Sequence, residues 1–386
     1  MAIDTTNIQA AITAKIAAED SSVSALDLLR YETAADRYGV AQYYTSAAAL
    51  PTASSALEGM IALVMTNAAD SGNALYLCTG TEWFEMQDLD SAAPYSFQGS
   101  NFGYVSGGGP PSVNVIEKFP FATDANATDV GDLTVARWGV AGQSSTLSGY
   151  TSGGYGTSNS NIIDKFPFAS DGNASDVGDL TEVRYGLVGQ SSENNGYASG
   201  GINFTFSPIR VNIIDKFPFS TDANATDVGD LTQGTYTPAG QNSTTHGYAS
   251  GGANTNLPVT TFNNIEKFPF AADANATDVG DLTVARFGPA GQSSTDNGYT
   301  SGGGAPAVSN VIDKFPFAAD VNATDVGDLS QVRNFAAGQS STNNGYTSGG
   351  APAYNTIDKF PFSSDANATD VGDLTTTRTR LAGQQY

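Results

Sequence analysis

Oxygen-bearing side chains dominate the chemistry open to this chain. Asp124-Ala-Asn126-Ala-Thr128-Asp129 sets Asp, Asn and Thr at the first three spacings of a calcium loop, and copies start at Asp171, Asp222, Asp273, Asp320 and Asp365. The glycine such a loop needs at its sixth position and the glutamate at its twelfth are missing, so the segments read as turns capped by their own side chains. Asn126-Ala-Thr128 also matches a glycosylation sequon, a short motif that counts once however often the repeat copies it. One His (His246) and one Cys (Cys78) leave no zinc site of imidazoles and thiolates, no His-rich copper centre and no intramolecular disulfide. No metal and no cofactor are expected. His246 precedes Gly247 where other units carry Ser148, Asn195, Asn297 and Asn344, so it reads as a turn residue. Cys78 reads as a small buried hydrophobe.

Two further sets of residues could hold a ligand. Glutamine recurs at Gln143, Gln190, Gln241, Gln292, Gln339 and Gln384, which around an axis would make a polar ring in or near a channel, either a ligand or ion site or a hydrated wall. The second set lies where the units differ: 109–114, 155–161, 202–212, 253–264, 304–310 and 351–356. These stretches carry Tyr155, Phe204, Phe206, Phe262 and Tyr354, with Arg210 as the one unrepeated base. Aromatic faces among Asn and Ser suit a sugar or a protein partner; the competing account is drift in loops that do nothing. An enzyme needs one-off polar groups in fixed geometry, and here nearly every charge is a repeat member. The sialidase-type S-x-D-x-G-x-x-W box is absent.

These residues are positioned by a repeat. A phrase recurs six times: GYxSGG, a variable stretch, I-[DE]-KFPF, the acidic turn, VGDL, then TxxR and [AV]GQ[SN]S. Its lysines are Lys118, Lys165, Lys216, Lys267, Lys314 and Lys359, spaced 47, 51, 51, 47 and 45 residues apart. Each unit reads as four short strands: Gly-Gln-Ser-Ser, GYxSGG, I-[DE]-KFPF and VGDLT. Asn195-Gly196, Asn297-Gly298 and Asn344-Gly345 predict hairpin turns between the first two strands. The proline of KFPF belongs at a strand end, and its flanking phenylalanines belong against the neighbouring unit. Such a unit cannot bury both faces alone, and packing six around an axis buries them. The prediction is a mainly β chain with a six-bladed β-propeller over 93–386. Ring closure falls to the C-terminal segment Arg380–Tyr386, with Tyr95–Ser100 as the rival; a parallel superhelix is the alternative architecture.

The units resemble the kelch repeat in the Gly-Gly doublets from Gly107/Gly108 to Gly349/Gly350, the aromatic third strand and the Arg before the next unit. The kelch Trp is missing, and Thr235 replaces one Arg. The resemblance is therefore kelch-like.

Before the repeat lie a helical anchor region over 1–50 and a small β-meander module over 51–92. Helices are predicted at 5–18, striped by Ile8, Ile12 and Ile16, and at 22–36, striped by Val23, Leu26 and Leu29. They either pack on the next segment or serve attachment and self-association. The meander strands are 59–65, 74–78 and 82–86. Helices, a small module and near-identical repeats together resemble tailed-bacteriophage virion proteins of the fibre or appendage type. That resemblance implies a virion protein held to other virion proteins by its N-terminal part. The propeller would be displayed outward toward a host-surface glycan or protein, in a homo-oligomer with a trimer favoured. A purely architectural role in capsid or tail is the alternative, and a glycan-active enzyme the third class.

Charge points the same way. With 16 Lys+Arg against 39 Asp+Glu the net charge is −23, which disfavours nucleic acid and anionic membranes. No leader and no membrane-spanning run is expected.

Overall fold

The computed structural model describes residues 96–386 apart from 204–208, 255–259 and 305–306, and, before them, 42–44, 50, 52–54, 61–64, 74–78, 81 and 83–88. The chain forms two units, Met1–Tyr95 and Ser96–Tyr386. In the first, Ile61–Val64, Ala74–Cys78 and Trp83–Asp88 form an antiparallel meander. A fourth strand, Gln42–Tyr44, pairs parallel with Ile61–Val64. Three residues are too few to show a period, so this strand was hidden inside the stretch assigned to helices. The predicted helices, with Ile8, Ile12, Ile16, Val23, Leu26 and Leu29, lie outside the described residues. Cys78 is buried. No described helix is long and apolar enough to cross a membrane.

The second unit is a mainly β, six-bladed propeller of four-stranded antiparallel blades. The second blade shows the plan: Ala141–Ser144 innermost, then Ser148–Ser152, Ile162–Pro167 and, outermost, Ser175–Asp179. The first blade is closed by the C-terminal strand Ala382–Gln385, which pairs antiparallel with Phe102–Ser106. The rival segment lies elsewhere. Gly99 bridges to Ser341, and Gln98 Nε2 donates to the Ser341 carbonyl, so residues 96–100 strap the face that carries the turns between first and second strands. This is the lower face. The described parts of the variable stretches and the connections from each fourth strand to the next blade lie on the opposite, upper face.

Blade contacts follow from the KFPF phrase. Phe119 and Phe121 hold Tyr346 of the preceding blade between them, at ring-centroid distances of 5.5 and 4.8 Å. The same pair of contacts recurs at Tyr104, Tyr150, Tyr197, Tyr248 and Tyr299. Each aromatic pair adds about 0.5–1.5 kcal/mol beyond its buried area.

The Asn-Gly hairpin expectation is corrected. The turns are where they were predicted, but Asn195 and Gly196 are the first residues of the second strand, and neither has positive φ. Ser192 makes the turn by accepting the Asn195 N–H at 3.1 Å. Glycine is required at 196 for another reason: a Cβ there would sit 2.4 Å from Phe217. His246 likewise opens a second strand, its N–H donated to Ser243 Oγ at 2.9 Å, and burial lowers its pKa.

Candidate functional site: the upper mouth of the propeller axis

The inner strands meet the axis with almost no side chain. A Cβ built on Gly142, Gly189, Gly240, Gly291, Gly338 or Gly383 would lie 2.0–2.4 Å from the carbonyl oxygen of the same glycine in the preceding blade. Backbone packed this closely admits no other residue. Above the glycines a closed circle of backbone hydrogen bonds runs Gly139→Arg380, Gly186→Gly139, Thr237→Gly186, Gly288→Thr237, Phe335→Gly288 and Arg380→Phe335, donor first, at 2.6–2.9 Å. Below them a second circle forms at 2.8–3.4 Å, each backbone N–H donating to a side-chain oxygen of the next blade, as in Ser144→Ser191 and Ser191→Asn242.

The six glutamines are a ring of staples between blades. Their side chains are at most 1% exposed. Gln143 Nε2 donates to the Tyr197 carbonyl of the next blade at 2.9 Å and to Ser152 Oγ of its own at 2.8 Å. Gln190, Gln241, Gln292, Gln339 and Gln384 reach across in the same way. The acidic turns are clasps too. Asp124 Oδ1 accepts from Lys359 Nζ at 2.5 Å and Asn126 Oδ1 accepts the Asp373 N–H at 3.1 Å, so these oxygens are engaged in joining blades. Among the described residues there is no cluster of three or more His, Cys, Asp or Glu able to hold a metal.

The connection into each blade carries an arginine that is buried against the acid of the third strand. The pairs are Arg137–Asp164, Arg184–Asp215, Arg286–Asp313, Arg333–Asp358 and Arg378–Glu117, at 2.7–3.1 Å. Burial lowers each arginine pKa against the pull of its acid. The fourth blade departs. Thr235 stands where the arginine would be, and Glu266, 1% exposed, accepts instead from Thr232 N and Oγ1 and from Asn264 Nδ2 at 2.6–2.8 Å. Burial raises the Glu266 pKa, and these hydrogen bonds only partly oppose it.

The repeat breaks most at the upper mouth. The axial hollow, about 110 Å³, is bordered by the residues of the backbone circle. All six have left-handed backbone, with φ of 66° at Gly139 and Gly186 and 64° at Gly288. The other three are not glycine: Thr237, Phe335 and Arg380 have φ of 51°, 55° and 57°. Side chains pay a steric penalty there, roughly 1–2 kcal/mol each. Around them stand Trp138, Tyr185, Tyr236 and Phe287, each preceding a residue of the circle. Trp138 packs on Tyr185 at 5.0 Å, Tyr185 on Tyr236 at 5.6 Å and Phe287 on Phe335 at 5.5 Å. The Arg380 guanidinium lies over Phe335 at 4.3 Å and Trp138 at 5.1 Å. Burial raises the Tyr236 pKa, and the nearby Arg380 charge only partly opposes it. Burial raises Tyr185 strongly as well.

Of the sequence candidates, Tyr155 joins this collar, 5.2 Å from Trp138 and 5.6 Å from Tyr185. Tyr354 instead covers the buried Arg333 guanidinium at 5.4 Å. Phe262 is half-buried, its backbone bonded to Gly252 and Arg286. Arg210 pairs with Ile202 on the upper face. Phe204 and Phe206 lie outside the described residues. Sequence reasoning missed Trp138, Tyr185, Tyr236, Phe287, Phe335 and Arg380. Their signal was available: after each arginine position the units read WG, YG, YT, FG, NF and TR, an aromatic–glycine pattern broken in three copies. No protein-family model matches the chain, and no curated protein matches it.

Proposed function

We propose that this chain is a non-catalytic virion protein of a tailed bacteriophage, of the fibre or appendage type. Its N-terminal part joins other virion proteins, and its propeller recognises a host-surface glycan or protein through the upper face. A trimer is the favoured assembly. One observation carries the recognition reading: the connections that vary in length all join second to third strands, and they share one face with the aromatic collar on a scaffold whose remaining parts keep a constant length. Binding sites commonly sit on such loops above a rigid frame. The virion assignment rests on the resemblance in domain order and near-identical repeats. The non-catalytic reading rests on the charges, most of which are repeated and joined in pairs between or within blades.

The purified full chain, added to susceptible bacteria before infection, is expected to bind them and to reduce infection. Failure in both, with the chain found on particles by immunogold labelling, leaves the architectural role. Absence of the chain from purified particles overturns the virion assignment itself.

A further inference from the structure

We propose that the axial hollow of the upper face binds a carboxylate-bearing saccharide, a uronic acid unit of a surface polymer. Arg380 takes the carboxylate and the aromatic collar takes the sugar ring. The inference rests on the reading of the upper face as the recognition face.

Charge distribution is the first argument. The chain carries 39 acidic residues, yet the twelve connections of the upper face contain one, Glu182. Five arginines of these connections are buried in ion pairs. Among the described residues no carboxylate lies within 4.0 Å of the other two, Arg210 and Arg380. A protein of net charge −23 has therefore cleared these connections of nearly all acid and kept two cations there without an acidic partner, which favours an anion at close range.

The second argument is local geometry. Arg380 is held over two ring faces, and its buried Nε has no hydrogen-bond partner. A guanidinium stacked on rings keeps its in-plane N–H groups for a planar acceptor, and a carboxylate matches that fork. The hollow of about 110 Å³ has room for several waters, hence for a carboxylate that displaces them. A whole polymer does not fit, so the sugar ring belongs above it, against the partly exposed Trp138 and Tyr155. Aromatic faces offer apolar area beside polar tips, which suits the mixed surface of a sugar ring.

The third argument is strain. Glycine serves at this register in three blades, so the fold does not need a side chain here. Thr237, Phe335 and Arg380 keep one despite left-handed backbone, and all three border the same hollow. Strain that converges on one cavity marks a site maintained for something other than stability.

Calorimetric titration of the full chain with D-glucuronate, glucose and acetate tests this. Glucuronate is expected to bind, with glucose and acetate each weaker by about tenfold or more, the scale of one charge-assisted contact. Arg380→Gly should lose about tenfold in glucuronate affinity with an unchanged or raised melting temperature, since glycine relieves the backbone. Arg380→Lys should keep part of the affinity, having charge without the fork. Phe335→Gly, which removes a stacking wall and also relieves strain, should weaken glucuronate without lowering the melting temperature. Equal binding of glucose or of acetate, or unchanged glucuronate binding by Arg380→Gly, overturns the proposal. If Arg380→Gly still binds cells and competes with infection as the parent chain does, the carboxylate site falls and the recognition reading stands. If glucuronate binds as expected but the chain binds no cells, the site stands and that reading falls.

Discussion

The body of the propeller and its upper mouth obey different rules. Below, the repeat prescribes polar partners: glutamine to a neighbour's carbonyl, lysine to a neighbour's aspartate, asparagine to a neighbour's backbone. Above, the same register holds glycine, threonine, phenylalanine or arginine, and three of these sit in a strained conformation. The fourth blade brings the contrast inside the ring, because Thr235 and Asn264 replace an arginine and an apolar residue around one buried acid. Repetition holds wherever a side chain must meet its copy in the next blade. It relaxes where a side chain meets only the axis or solvent.

The largest way to break that contrast is at the glycine circle. Gly291→Ala would drive a Cβ to 2.1 Å from the Gly240 carbonyl oxygen, and backbone on both sides prevents escape. A loss of about 4 kcal/mol or more is expected, seen as a collapse of the denaturant midpoint. Next comes Arg333→Met, which strands Asp358, 0% exposed, without its cation. That change should cost about 3–5 kcal/mol by the same measurement, whereas Thr235→Arg, which restores the pair in the fourth blade, should raise stability. A loss from Arg333→Met no larger than that of a surface substitution would dissolve the distinction between the blades.

A subtler effect follows from Glu266. Its folded pKa lies above its unfolded one, so between the two the folded state binds more protons. Its contribution to stability is then present below the ordinary carboxylate range and is lost as pH rises through the raised value. Glu266→Gln should flatten the fall in melting temperature across that window, and an identical pH profile in the variant would refute the account. The smallest effect is at Thr237. Thr237→Gly, at φ of 51°, should gain up to about 1 kcal/mol, because a β-branched residue is poorly suited to left-handed backbone.

Much of the fold was legible because the repeat states it six times. Strand number, blade number, Phe packing and closure by Ala382–Gln385 all follow from register and from the need to cover apolar faces. The Asn-Gly reading failed because a glycine can be demanded by a neighbour's ring as well as by its own φ, and Phe217 is twenty-one residues from Gly196 in the chain. The glutamine ring was visible as a pattern, but its direction was not, since the Tyr197 carbonyl that Gln143 meets belongs to another blade. Tyr155 was found in the variable loops, whereas Trp138 beside it sits in a connection that looked like scaffold.

Sequence alone determined the blade and its count and favoured the C-terminal closing strand, because these depend on local hydrophobic patterning and on a period that every unit shares; the pairing of Ala382–Gln385 with Phe102–Ser106 settled the closure. Tertiary structure alone decided which residues meet at the axis. Six positions near 48 residues apart converge there only after the ring has closed, and no local signal records that meeting. Arg380, the last arginine in the chain, comes to rest over Trp138 because the C-terminal strand completes the blade that the chain began.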